Sequence, residues 1–159
     1  MTIEDDIDAQ VRAALASSIP ANSNVNNQTG KTSDLHGGKG GEEFDDGFHK
    51  HISKITIKSG QVIDSISMIY DNGTITTSHG GDGGEESSLE LKNNEYIIQV
   101  NIRAGKIIQS LTFRTNLGRV LACGGKGGLL LGGFKGKEIV ESCPDQNYGL
   151  VGIKGRKGK

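Results

Sequence analysis

One glycine-rich text recurs along this chain at a nearly constant interval. His36-Gly37-Gly38-Lys39-Gly40-Gly41-Glu42-Glu43 returns as His79-Gly80-Gly81-Asp82-Gly83-Gly84-Glu85-Glu86, and Cys123-Gly124-Gly125-Lys126-Gly127-Gly128 stands in register with both. The copies begin 43 and 44 residues apart. That spacing belongs to repeat architectures, in which each unit is one supersecondary block that cannot bury its apolar face alone. A second text keeps step with the first: Gly60-Gln61-Val62-Ile63-Asp64-Ser65-Ile66 answers to Gly105-Lys106-Ile107-Ile108-Gln109-Ser110-Leu111. Three equivalent blocks therefore pack around a pseudo-threefold axis or stack as blades.

The blocks are built of strands. Ile52 to Ser59 alternates, and Ile63 to Tyr70 is a β-rich run closed by Asp71-Asn72-Gly73, a hairpin turn signal. Similar runs lie at 89–91, 96–102, 106–114 and 119–122, with Asn93-Asn94 and Asn116-Leu117-Gly118 as further turn chemistry. With 25 glycines in 159 residues, helices are interrupted too often to dominate, since glycine is the ordinary residue most costly to them after proline. The expectation is one antiparallel all-β domain.

Ahead of it, Ile3, Ile7, Val11 and Leu15 recur at steps of four behind a capping Thr2, which predicts a weak amphipathic helix over 2–18. Residues 18–34 are polar, with little to offset the entropy of ordering, and read as a linker. The leader is thus 1–34, helical or disordered, and the β domain is 35–159.

A formal charge of −1 with interspersed signs gives no broad field for nucleic acid or an anionic membrane. The basic end, Lys154 to Lys159, reads as a solvated tail. No stretch approaches the ~18 apolar residues of a membrane span, and the acidic start MTIEDDIDAQ lacks the basic n-region of a signal peptide. A cytoplasmic or otherwise intracellular protein is expected. Cys123 and Cys143 have neither CxxC spacing nor clustered histidines, so two buried reduced thiols are expected and no metal.

The succession GGKGGEEFDDG, SGQVIDSISMIYDNG, HGGDGG, LTFRTNLGRV, CGGKGG and GLVGIKGRKG resembles the jacalin-related lectins, of the mannose-binding type, throughout residues 35–159. The resemblance implies a β-prism I fold of three antiparallel sheets. It also implies carbohydrate binding without metal, cofactor or catalysis, at sites where a glycine loop meets a GxxxD loop, and frequent oligomerisation. Carried over residue by residue, the GxxxD motif is complete at Gly60 to Asp64 and faces the glycine loop Gly80 to Gly84. The expected sugar residues are Gly60, Gln61, Val62, Asp64, Gly83 and Gly84. In the third block Gln109 replaces the acid, so Gly105, Gln109, Gly127 and Gly128 form a weaker candidate. The first glycine loop, with Gly40 and Gly41, is also weaker. Its GxxxD partner would open at Gly158, where only Lys159 remains, leaving the acid and the closing strand absent from the sequence.

These residue types suit a pyranose. A carboxylate offers two acceptor oxygens to adjacent hydroxyls, and glycine amides donate without obstruction. Asp64 would accept from O4 and O6 of mannose or glucose, the Gln61 and Val62 amides would donate to the ring oxygen and O6, and the Gly84 amide to O3. Galactose preference in the family goes with a cleaved amino terminus beside the first site; the continuous leader here favours mannose or glucose. A phosphate loop is excluded, because neither GKS/GKT nor a dinucleotide fingerprint follows the glycines. The histidines form no triad: His36 and His79 share one structural place before the loop, and Asp45-Asp46 read as a turn. The alternative is a β-prism that has lost its sugar and serves as a scaffold or protein-interaction module, or one whose open sheet is completed by a homo-oligomer or a partner chain.

Overall fold

The computed structural model describes residues 19–20, 41–47, 49, 51–70, 73, 75, 78–105, 107–125, 136–143, 148–150 and 152–157. The expected helix over 2–18 lies outside them, as do Gly40, Gly127 and Gly128. Twelve strands run through the described residues: β1 Ile19–Pro20, β2 Glu42–Asp45, β3 Ile52–Ser59, β4 Ile63–Tyr70, β5 His79–Gly80, β6 Glu85–Glu90, β7 Ile97–Ala104, β8 Ile108–Thr115, β9 Val120–Gly124, β10 Lys137–Ser142, β11 Tyr148–Gly149 and β12 Lys154–Lys157.

The repeat is visible in the pairing. One four-stranded sheet has the order β5-β4-β3-β6 and the other β10-β7-β8-β9. Each is centred on an antiparallel hairpin, β3 with β4 and β7 with β8. The turns form where expected: the Gly73 N–H donates to the Tyr70 carbonyl at 2.9 Å and the Gly118 N–H to that of Thr115 at 3.1 Å, both glycines at positive φ. Two short pairings complete the fold, β2 with β12 and β1 with β11.

The inner faces of the two hairpins meet in one core of Ile52, Ile55, Ile57, Ile66, Met68 and Tyr70 from the first and Ile97, Val100, Ile102, Leu111 and Phe113 from the second. Leu150 and Ile153 join it beside β12, and Phe44 of β2 packs against it. With no tryptophan, aliphatic side chains supply nearly all of this burial.

Both hairpins also break register at the same end. Lys58 pairs with Ser65 and Ser59 with Ile63, so Asp64 is an extra residue in the ladder; Arg103 pairs with Ser110 and Ala104 with Ile108, so Gln109 is its counterpart. Such bulges bend a strand and re-aim a side chain.

Three expectations are corrected. Lys154 to Lys157 is not a solvated tail: it is β12, antiparallel to β2, where Arg156 reaches the Glu43 carboxylate and donates to the Gly41 carbonyl at 2.9 Å. The basic run has an acidic strand opposite it, a pairing that charge patterning within the run itself cannot reveal. Of the thiols, Cys123 is buried but Cys143 only half-buried, and the two form no disulfide with each other. Asp45 ends a strand and does not lie in a turn.

Ile66 is fully buried at the centre of β4. Ile66→Ala is expected to lower stability by about 2–5 kcal/mol, through lost burial and the cavity left behind, measured by urea unfolding against the wild type.

Candidate functional site

The loop between β3 and β4 comprises Gly60, Gln61 and Val62. Gly60 and Gln61 are exposed, whereas Val62 is turned inward against Ile107, its counterpart in the second hairpin. The loops also share a backbone closure. The Gly60 N–H donates to the Val62 carbonyl at 3.0 Å, and the Gly105 N–H donates to the Ile107 carbonyl at the same distance. Paired apolar anchors thus hold the loops from beneath while their main chain faces outward.

The glycine turn after β5 closes on Asp64 from the side. A methyl group on Gly80 would collide with the Asp64 carbonyl oxygen, and the Gly81 N–H donates to that oxygen at 2.8 Å. Further along the turn, a methyl on Gly83 would stand 3.4 Å from Asp64 Oδ1, and one on Gly84 would stand 2.5 Å from Oδ2 and 2.7 Å from the Ser59 nitrogen. Gly84 has φ of +85°, a conformation open to glycine without strain. The half-buried Asp64 carboxylate therefore lies against the exposed main chain of Gly83 and Gly84. Gly60, Gln61, Val62, Asp64, Gly83 and Gly84 converge on one end of the first sheet, where a carboxylate and bare peptide groups share a shallow surface.

The other candidates do not assemble in this way. Gln109 is fully buried, and its Oε1 accepts from the Gly136 N–H at 2.8 Å, so the bulge residue of the second hairpin is directed into the fold. Gly105 is half-buried beside it. Gly41 opens β2 at φ of +80°, with its carbonyl taken by Arg156.

Two polar networks escaped the sequence reading. Asp46 accepts from the Tyr70 hydroxyl at 2.7 Å and is bonded to His79 Nε2, also at 2.7 Å. The His79 ring stacks on Phe44 at 3.9 Å and that of His49 on Tyr70 at 3.6 Å. His79 leads directly into the glycine turn. At the opposite end of the hairpins, buried Glu95 accepts from Thr115 Oγ1 at 2.8 Å and from the Lys92 N–H at 3.1 Å, with Arg119 Nε at 3.4 Å. An open cleft of about 660 Å³ adjoins it, lined by His51, Ser53, Glu90, Leu91, Lys92, Asn93 and Arg119. There His51 is bound to the Glu95 carbonyl and Arg119 to that of Glu90, so these groups are already engaged within the fold. Local patterning marks none of these residues, because Asp46 meets partners 24 and 33 positions away. Among the described residues no cluster of His, Cys, Asp and Glu is arranged to hold a metal ion.

Burial, and next the bonded Asp46 carboxylate, push the Tyr70 phenol well above its usual range. A folded-state pKa raised above the unfolded value contributes stability that is complete below about pH 10 and lost as pH rises further. Unfolding free energy is therefore expected to fall on the alkaline side of pH 10, and Tyr70→Phe to flatten that fall while costing about 1 kcal/mol at neutral pH. Denaturant titrations from neutral to alkaline pH read both.

With this geometry in hand, likeness to known proteins is specific. A family model described as the jacalin-like lectin domain matches residues 33–159. Jacalin-related lectin 19 of Arabidopsis thaliana is 39% identical over 93 residues, covering 50% of this chain and 52% of that protein, so the chain spans about half the length of this curated relative. The structure of Malaysian banana lectin is similar with a TM-score of 0.65 at 27% identity, over 77% of this chain and 85% of that one. Artocarpin, a lectin with mannose specificity, is similar with a TM-score of 0.64 at 28% identity, over 77% and 86% of the two chains.

Proposed function

Because this chain belongs to the jacalin-like lectin family, whose β-prism fold it shares, we propose that it binds carbohydrate of the mannose or glucose type at Gly60–Asp64 and Gly83–Gly84. Binding needs no metal and no cofactor, and the bound sugar is not chemically altered.

The observation that carries this reading is the meeting of the Asp64 carboxylate with the main chain at Gly83 and Gly84. The O4 and O6 hydroxyls of one hexose can each donate to one of the two carboxylate oxygens, and charge-assisted hydrogen bonds are the strong ones in such a site. The exposed peptide groups of Gln61 and Gly84 supply donors for the remaining oxygens. The mannose specificity of the artocarpin neighbour supports the choice of sugar.

Nothing aromatic stands among these residues to stack on a pyranose face. Affinity for a single hexose is accordingly weak, about millimolar or roughly −4 kcal/mol. Useful avidity comes from several such sites carried by one assembly, formed by copies of the chain or by further domains joined to it.

Calorimetric or NMR titration of the full chain with methyl α-mannoside tests this. Asp64→Ala is expected to weaken binding by at least tenfold, consistent with hydrogen bonds to a charged group worth about 1.5–3 kcal/mol, and methyl α-galactoside is expected to compete poorly. Undiminished binding by Asp64→Ala would sink the site. A wild type that binds neither sugar favours the scaffold reading of the same fold.

A further inference from the structure

We propose that the third glycine turn, at Gly124 and Gly125, is a positioning element for the Gly60–Asp64 loop, with Ser59 as the residue that couples the two. This rests on the reading of that loop as the sugar site, and it assigns the third repeat a task other than holding a sugar.

The third turn lacks the means to bind a sugar in the manner of the second. Its own bulge residue is Gln109, which is buried and bonded to the Gly136 amide, so it directs no acceptor outward at the turn. The backbone relation of turn to bulge is nevertheless kept. A methyl on Gly124 would collide with the Gln109 carbonyl oxygen, and the Gly125 N–H donates to that oxygen at 3.1 Å. The geometry of a sugar turn survives while the acid has gone.

What the turn touches instead is the first repeat. The Gly124 N–H donates to Ser59 Oγ at 3.1 Å. The Ser59 and Ser87 hydroxyls also stand beside the Cys123 thiol. A methyl group on Gly125 would stand 3.1 Å from the Gln61 carbonyl oxygen and 3.2 Å from its Cα, so the two main chains are in direct contact where only glycine leaves Gln61 undisturbed. On its other flank Ser59 meets Gly84, where a methyl group would stand 2.7 Å from the Ser59 nitrogen. Ser59 thus stands between two glycine turns, one set against the Asp64 carboxylate and the other against the bulge of the buried Gln109.

The physical need follows from the shallowness of the site. Gly60 and Gln61 are exposed, and Val62 anchors their loop from beneath against Ile107. A loop that recognises through its main chain must be held within about half an ångström of the productive geometry, and ordering it before the ligand arrives removes a cost from binding. The Gly124–Gly125 turn supplies the lateral restraint that Val62 cannot.

The test uses the isotopically labelled full chain as wild type, Ser59→Ala, Ser59→Thr and Gly125→Ala. Each is read by the amide shifts of Gln61 and Val62 without sugar, by affinity for methyl α-mannoside, and by Tm. Ser59→Ala and Gly125→Ala are expected to shift the Gln61 and Val62 amides and to weaken mannoside binding about three- to tenfold. Ser59→Thr, which keeps the hydroxyl, is expected to restore both in large part. Amides at Gln61 and Val62 that ignore Ser59→Ala and Gly125→Ala would overturn the coupling, whatever the sugar does. If those amides respond while the wild type binds no mannoside, the coupling stands and the sugar assignment fails. If affinity falls only in step with Tm and Ser59→Thr rescues neither, the positioning role is refuted.

Discussion

The structure depends on main chain packed directly against main chain. Gly80 lies on the carbonyl of Asp64, and Gly84 on the nitrogen of Ser59 and the carboxylate of Asp64, at separations that no Cβ would permit. This contact brings the glycine turn back from β5 to β6 across the end of the β3–β4 hairpin, and it fixes where the bulged Asp64 stands. A side chain in the turn would push the strands apart, and the carboxylate would lose the surface it faces. The glycine repeat is therefore a packing requirement before it is a ligand-binding one.

The second and third glycine turns are each anchored at the residue before them, and the anchors differ. His79 ties the second turn to Asp46 and, through it, to Tyr70, linking β2 to β4 and β5. In the third repeat the same place is held by Cys123, buried and with its pKa raised by that burial, which lies beside Ser59 and Ser87. One anchor is a hydrogen bond to the carboxylate that follows β2; the other is a small thiol beside hydroxyls of the first sheet. The two turns keep a common backbone relation to their bulges while the side chains around them differ.

The same division appears at the two bulges. Both remove one residue from the ladder and leave its carbonyl to the glycine turn. An aspartate there stays half-exposed against Gly83 and Gly84, whereas a glutamine, longer and uncharged, is accommodated inside with its carbonyl oxygen on the Gly136 amide. Burying a carboxylate without compensation costs far more than burying an amide that is hydrogen-bonded. The chemistry of a single residue thus decides whether a bulge faces solvent or core.

Strand order within each hairpin, the turns at Gly73 and Gly118, and the correspondence of the β3–β4 and β7–β8 hairpins were all legible in the sequence. They follow from alternation, turn residues and a repeat, which are local or periodic signals. That one bulge carries a charge at Asp64 and the other an uncharged amide at Gln109 was legible too, because charge is a property of the residue itself. Tertiary structure alone decided the rest. It made Lys154–Lys157 a strand by bringing Glu42–Asp45 opposite it, gathered Asp46, Tyr70 and His79 into one network, and set Ser59 between Gly84 and Gly124, the latter 65 positions away. Such contacts join residues with no periodic relation, and their partners become neighbours only when the sheets close around a common core.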